Sequence, residues 1–211
     1  MSEAPKKGKI HWKVVGMLFL ILIILPAGSW YYLTTGYNYH KVLVNELKED
    51  FGNVDNYTAT TADGKPFDFE SISTNTAIVH FMGENAVQKE YLWERMEKLH
   101  EQFDDRNDIK FISHITNADE TALPKDTAQW KVIRGTEAEF DRIARDNYNM
   151  SFKEGETVLN NSQFILVDSS LVRNFYDANS MREMGRMLEH VTIVMRRVAP
   201  RDIILERDKE M

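Results

Sequence analysis

Cysteine is absent from all 211 residues of the chain. Without a thiolate the chain has no thiol redox chemistry, no cysteine nucleophile and no cysteine-based metal site. It also forms no disulfide, so a folded region must rely on its hydrophobic core for stability. Hydrophobic residues make up 43% of the sequence and charged residues 28%. This balance favours a globular domain with a sizeable core over extended disorder.

Basic residues are in the minority. The chain has 26 lysines and arginines against 33 aspartates and glutamates, and its formal net charge is −7. Four lysines and one glutamate fall within the first 13 residues, which leaves −10 on the remainder. A region this acidic is a poor candidate for binding nucleic acid or an anionic membrane surface. The charge favours solubility or, alternatively, docking onto a basic partner.

One long apolar run lies near the N-terminus. Residues 14–33 are 20 residues without a charge, and at about 1.5 Å each they span a hydrocarbon layer of about 30 Å. Trp30 and two tyrosines stand at its far end, where amphipathic rings favour the membrane interface. The lysines precede it, so the positive-inside rule predicts a single-pass inner (plasma) membrane protein with residues 1–13 cytoplasmic and the rest exported. The alternative is a cleaved signal peptide, because Ala27-Gly28-Ser29 supplies small residues after the run.

The exported part combines helical and strand patterns. We predict a juxtamembrane linker with a short helix over residues 34–55, a folded domain over 56–198 and a charged tail over 199–211. Strands that alternate with helices, followed by a hairpin and a helix, predict an α/β sandwich in the thioredoxin order with an added N-terminal β-hairpin. Predicted strands are 57–62, 67–69, 77–82, 108–115, 130–133, 164–167 and 171–176, and predicted helices are 41–51, 88–103, 136–148 and 181–198.

Three groups of segments occur in the order and spacing of a known family. They are 63–67 with 77–81, 130–136 with 140–144, and 161–168 with 172–176. Behind an N-terminal anchor, this arrangement resembles the Sco (SenC/PrrC) copper-chaperone domains over residues 63–194. The resemblance implies a membrane-tethered thioredoxin fold. It further implies a role in copper insertion into cytochrome c oxidase, or in thiol reduction at that site.

The family's copper ligands are missing from this sequence. They are a CxxxC pair at the start of the first long helix and a histidine in the loop before the hairpin. The matching positions fall near Asn85, Lys89 and Asn161. The resemblance therefore implies no metal, no cofactor and no catalytic residue at this site. The loop that holds Gly83, Glu84, Asn85 and Lys89 is left as a candidate interaction surface.

Histidines and methionines offer alternative sites. His80 and His114 lie on strands that we expect to be neighbours, so a two-histidine metal site completed by Glu84 or Asp119 is a hypothesis. The simpler interpretation is that each is a satisfied histidine in the core or at a strand end. The last predicted helix carries four methionines at helical spacing, and core packing is favoured over a thioether site. These methionines are Met181, Met184, Met187 and Met195.

The resemblance, together with the missing ligands, implies a non-catalytic, membrane-anchored Sco-like protein. Its expected role is that of an accessory, assembly or structural partner of a respiratory cytochrome oxidase. One alternative is an exported enzyme or metal-binding protein built on histidines and carboxylates, although no phosphate loop or nucleophile elbow occurs. Another alternative is a generic anchored protein-binding module, which differs from the first prediction only in its partner.

Overall fold

The computed structural model describes residues 12–83, 89–116, 124, 128–152 and 156–195. The chain divides into two compact units, one up to Asn45 and one from Glu46 onward. Helix α1 (Trp12–Phe19), a π-helical turn (Leu20–Ile24) and helix α2 (Leu25–Glu46) follow one another without a break. The π turn ends two residues before Pro26, whose missing N–H and bulky ring disturb regular α-helical bonding.

This continuous helix is the one helix among the described residues that is long and apolar enough to cross a membrane. Its side chains are exposed from Trp12 to Val42. The linker and separate helix predicted over residues 34–55 are wrong in detail, because α2 continues through Gly36 and ends at Glu46. No proline lies between residues 27 and 65, and one glycine costs a helix only about 1 kcal/mol. The sequence therefore holds no local signal strong enough to stop the helix earlier.

A mixed seven-stranded sheet forms the centre of the second unit, in the order β2-β1-β5-β4-β3-β6-β7. Strands β3, β4 and β5 are parallel to one another, and the other neighbours are antiparallel. The α/β sandwich with an N-terminal hairpin is thus confirmed. The strands are β1 (Thr58–Thr61), β2 (Pro66–Asp68), β3 (Thr76–Met82), β4 (Ile109–Thr116), β5 (Trp130–Gly135), β6 (Gln163–Asp168) and β7 (Leu171–Asp177).

Three helices flank this sheet: α3 (Lys89–Gln102), α4 (Glu137–Asp146) and α5 (Met181–Val194). Local capping signals set two of their starts. Thr136 and Glu139 form the predicted capping box of α4, and Ser180 caps α5 by accepting a bond from the Glu183 amide at 3.3 Å. Helix α5 ends at Val194 rather than at residue 198 as predicted. The tail over 199–211 lies outside the described residues.

The predicted strand over 67–69 is shifted by one residue, because β2 runs from Pro66 to Asp68. Phe69 opens a 3-10 helix (Phe69–Ile72) because the Asp68 carboxylate accepts a hydrogen bond from the Glu70 amide at 3.1 Å. The hairpin before it turns at Gly64, whose φ of +80° lies in the left-handed region that glycine adopts without strain. This hairpin extends the sheet, because β1 pairs antiparallel with β5.

Two hydrophobic cores lie on the two faces of the sheet. Strand β3 contributes to both and is buried along its whole length. The first core packs beneath α3 and α5 and includes Ile78, Met96, Phe111, Trp130, Phe164 and Met187. The second packs beneath α4 and the 3-10 helix and includes Tyr57, Phe69, Val79, Phe81, Phe140 and Tyr148.

Candidate functional site

The positions predicted to replace the family's copper ligands, near Asn85, Lys89 and Asn161, follow β3 or precede β6 in the sequence. They point to the end of the sheet where β3 stops and β6 begins. In the antiparallel β3–β6 pair, His80 lies opposite Phe164 and Thr76 lies opposite Asp168. His80 and Phe164 are the last pair, so Gly83 and Asn161 each lie three residues beyond the paired region. Asn161 follows the 3-10 helix Val158–Asn160, and its Nδ2 donates to Gln163 Oε1 at 3.1 Å.

The structure describes two of the four residues of the candidate interaction loop, Gly83 and Lys89. Gly83 is the residue after β3, and Lys89 is the first residue of α3. Glu84 and Asn85 lie outside the described residues. The ligand-replacement assignment near Asn85, Lys89 and Asn161 therefore stays a prediction.

The histidine pair does not form a site. Strands β3 and β4 are neighbours as expected, with His80 opposite Ser113 and Phe81 opposite His114. Side chains at paired positions share a face, and successive side chains alternate between faces. His80 and His114 therefore lie on opposite faces of the sheet, so the hypothesis of a shared metal site is wrong.

His114 is held in the second core by a tyrosine network. Its Nε2 lies 3.0 Å from Tyr57 Oη, which in turn lies 2.8 Å from Tyr148 Oη. Phe81 stacks on the imidazole with ring centroids 4.2 Å apart. Burial lowers the pKa of His114 to about 3 and raises the pKa of both tyrosines. The network is thus neutral at physiological pH, and it joins β4 to the segments before β1 and after α4.

His80 lies in the first core in different surroundings. The edge of its ring meets Phe164 with centroids 5.3 Å apart, and the residue is 1% exposed. Neither ring nitrogen has a hydrogen-bond partner among the described residues. Burial alone lowers its pKa to about 3. His80 is a core histidine as expected, but it is not a satisfied one.

Other metal-site hypotheses also find no support. Within the described ranges, no group of three or more histidines and carboxylates lies close enough together to hold a metal ion, while Glu84 and Asp119 fall outside those ranges. Met184 and Met187 are buried in the first core, which confirms core packing for these two methionines. Met181 departs from that expectation, because it is 68% exposed.

A cluster that sequence reasoning missed lies beside this sheet end. Arg95 Cζ lies 4.8 Å from the centroid of the Tyr91 ring, and Arg95 Nη2 is 2.7 Å from Tyr91 Oη and 2.9 Å from Met181 Sδ. Tyr91 Oη donates to the Ala178 carbonyl at 3.0 Å. The only local signal is the i,i+4 spacing of Tyr91 and Arg95, since Met181 comes 86 residues later.

No protein-family model matches this sequence, and no curated protein matches it either. Solved structures do match. A SCO1/SenC family lipoprotein from Bacillus anthracis superposes with a TM-score of 0.57 at 18% identity, covering 70% of this protein and 98% of that one. The soluble domain of Sco1 from Bacillus subtilis gives 0.51 at 19% identity, covering 68% and 92%. BsSco, described as a member of the Sco family of cytochrome c oxidase assembly proteins, gives 0.53 at 19% identity, covering 70% and 99%.

The likeness extends to other thioredoxin-like proteins. The thioredoxin domain of a thiol-disulfide oxidoreductase from Bacteroides vulgatus gives a TM-score of 0.50 at 13% identity, covering 70% of this protein and 99% of that one. At these identities the matches establish the fold. Behind an N-terminal apolar helix, this protein therefore has the thioredoxin-like fold of the Sco proteins, built without a single cysteine.

Proposed function

We propose that this protein is a membrane-anchored, non-catalytic Sco-like protein that serves as an accessory, assembly or structural partner of a respiratory cytochrome oxidase. The observation that carries the proposal is a Sco-like fold in a sequence without cysteine. One structural neighbour is described as belonging to a family of cytochrome c oxidase assembly proteins. That role comes to this protein by analogy of fold, and the site decides how the role is performed.

The chemistry of the sheet end supports binding rather than metal delivery. Soft copper sites use thiolate, thioether and imidazole ligands. This sheet end holds Asn161 and Lys89. The Asn161 amide is hydrogen-bonded to Gln163, and the Lys89 ammonium has no lone pair to donate to a metal. The buried imidazoles of His80 and His114 lie in separate cores. Because the described residues hold no group of ligands for copper, we infer that the domain acts by presenting a contact surface.

The N-terminal helix supports a membrane tether. Its length and apolar composition fit a bilayer span, and the lysines before it favour a cytoplasmic N-terminus with the folded domain on the outer side of the inner membrane. A tether also raises the effective concentration of the domain near a membrane partner without adding any contact. Weak contacts with an oxidase subunit or an assembly factor then suffice.

The enzyme alternative has no support within the described part of the molecule. A site for acid-base chemistry needs titratable groups with shifted pKa values that converge in one accessible pocket. The described histidines with the lowest pKa values, His80 and His114, are fully buried on different faces. The generic binding module differs from the proposed function only in its partner, so identification of the partner separates the two.

Gene deletion with complementation tests the proposed function. Assembled oxidase would be measured by native gel electrophoresis and by the reduced-minus-oxidised haem absorbance of isolated membranes. We expect deletion to lower assembled oxidase, the full-length protein to restore it, and a version lacking residues 1–33 to restore much less. Added copper should not replace the protein. An unchanged oxidase level in the deletion strain would contradict the proposal.

A further inference from the structure

Met181 is unusual for its exposure. From Glu46 onward, it is the one described large hydrophobic side chain that is exposed, at 68% of its surface. It is the first residue of α5, directly after the capping residue Ser180. Met184 and Met187 are buried in the first core, and Met195, directly after α5, packs against that core. A thioether held in solvent at a helix start contributes little to folding, because it buries little apolar surface.

Arg95 lies beside Met181 and contacts its sulfur. It makes no salt bridge with any described carboxylate, although the sequence beyond residue 13 has a net charge of −10. Its guanidinium instead stacks over Tyr91 and contacts the Tyr91 hydroxyl and the Met181 sulfur. A guanidinium has five N–H donors, and the described contacts use one nitrogen. No described residue engages the remaining donors, which suit a planar acceptor.

The cluster is held rigidly. Tyr91 Oη donates to the Ala178 carbonyl, and the Ala178 amide donates to the Ser162 carbonyl at 2.7 Å. These bonds fix the Tyr91 ring, and the ring fixes the guanidinium. Prior ordering lowers the entropy lost on binding. Because Ser162 follows Asn161, the cluster also lies beside the sheet end to which the sequence assigned a candidate interaction surface.

We propose that Tyr91, Arg95 and Met181 form a docking surface for a partner protein that presents a carboxylate next to an apolar side chain. Arg95 binds the carboxylate through the donors that no described residue engages, Met181 packs against the apolar group, and Tyr91 orients the guanidinium. Tyrosine, arginine and methionine are enriched at protein interfaces, and arginine and tyrosine at binding hot spots. The proposal rests on the proposed function and specifies its contact surface.

A second face of α3 has the opposite charge. Glu90, Glu94, Glu97 and Glu101 are exposed at helical spacing, as expected for a solvated face. Two of them are engaged: Glu94 pairs with Lys98, and Glu97 accepts a bond from the Trp93 indole at 3.0 Å. A basic partner would bind this stripe instead, so the stripe provides the contrasting outcome of the test.

Site-specific photo-crosslinking of the full-length protein in its native membranes tests this surface. A photoreactive phenylalanine derivative replaces Gly185, which lies one helical turn from Met181 and whose Cβ would meet no atom within 4 Å. Control positions are Thr192, exposed farther along α5, and Glu101 on the acidic stripe. Each is combined with wild-type Arg95, Arg95→Glu and Arg95→Lys, and the thermal transition of each variant establishes that it folds.

The expected result is an adduct at position 185 that falls at least tenfold with Arg95→Glu and by a smaller factor with Arg95→Lys, which keeps the positive charge but loses the planar donors and the stacking on Tyr91. The crosslinked partner peptide should contain an aspartate, a glutamate or a terminal carboxylate. An adduct that Arg95→Glu does not reduce, an adduct at Glu101 alone, or no adduct at position 185 would overturn the proposed surface. If the Arg95-dependent adduct joins a protein unrelated to the oxidase, the surface stands and the proposed oxidase role falls.

Discussion

His80 and His114 lie on adjacent parallel strands, yet their imidazoles are separated by the sheet itself. One meets Phe164 in the core beneath α3 and α5, and the other stacks on Phe81 in the core beneath α4. Closeness along the strands therefore does not bring the two rings together. The two imidazoles therefore contact different residues, and we expect their contributions to the free energy of unfolding to differ.

Replacing His80 by leucine should stabilise the domain. The substitution removes a buried imidazole without a described hydrogen-bond partner and keeps an apolar group of similar size. Because an unpaired buried polar group costs about 1–3 kcal/mol, we expect the free energy of unfolding to rise by about that amount. Urea denaturation of the purified protein in detergent, followed by circular dichroism, measures the change.

The matched substitution His114→Leu should act in the opposite direction. It removes the Nε2 atom that shares a hydrogen bond of 3.0 Å with the Tyr57 hydroxyl. It also removes the ring that stacks on Phe81. We expect a loss of about 1–3 kcal/mol in the same denaturation assay. Equal destabilisation by the two leucine variants would contradict the difference in surroundings that the structure shows.

The domain should lose stability as the pH falls from about 6.5 toward 3. Burial lowers the pKa of His80 and His114 to about 3 from the ordinary 6.5. Between these values the unfolded protein binds protons that the folded domain excludes, so acidification favours unfolding. Each histidine removes about 1.4 kcal/mol per pH unit within this window, and above pH 6.5 the effect ends.

Denaturation midpoints of wild type and His80→Leu at pH 4.5, 5.5 and 7.5 measure this dependence. The variant should retain more of its stability on acidification than wild type. Identical slopes for the two proteins would show that His80 does not stay neutral in the folded domain.

Replacing Gly135 or Gly185 by alanine should change the stability of the domain in opposite directions. A Cβ at Gly135 would lie 2.7 Å from Cε1 of the buried Phe140 ring, so Gly135→Ala should destabilise the domain by about 1–3 kcal/mol. At Gly185, in the exposed face of α5, a Cβ meets nothing within 4 Å, and alanine should stabilise by about 0.5–1 kcal/mol. Thermal unfolding of both variants checks the pair, and a stabilising Gly135→Ala would contradict the packing around Phe140.

The purified protein should not bind copper stoichiometrically at neutral pH. It has no cysteine, and no described group of histidines and carboxylates can hold a metal ion. Isothermal titration with Cu(I) and Zn(II) under anaerobic conditions measures this, with Asn85→Cys/Lys89→Cys/Asn161→His as the matched variant. That variant should gain a copper site if the predicted ligand positions are correct. One-to-one binding of copper by wild type would contradict the absence of a metal role.

Local signals account for the parts of the structure that the sequence predicted well. The Thr136 and Glu139 capping box marked the start of α4, and Asp168-Ser169-Ser170 marked the turn between β6 and β7. Both signals act within a few residues, so they can be recognised without a partner strand or helix. The strand-helix order then fixed the fold, because few topologies accommodate it.

The features that were missed depend on long-range geometry. The faces of His80 and His114 follow from the exact register of β3 against β4, which the strand patterns alone do not give. The contact of Arg95 with Met181 joins residues 86 apart in sequence. The continuation of α2 through residues 34–40 has no apolar periodicity to reveal it, because the side chains there are exposed on all sides of the helix. Helical spacing of apolar residues begins only after residue 41.

Co-isolation from native membranes tests the central claim, a Sco-like scaffold that works by binding, most directly. The tagged full-length protein is crosslinked in intact membranes, and the captured proteins are quantified by mass spectrometry against a tagged control holding residues 1–46 alone. We expect oxidase subunits or copper-insertion factors to be enriched at least tenfold with the full-length protein, and we expect copper chelation to leave this enrichment unchanged. Equal recovery with the anchor control, or enrichment that disappears when copper is chelated, would contradict it.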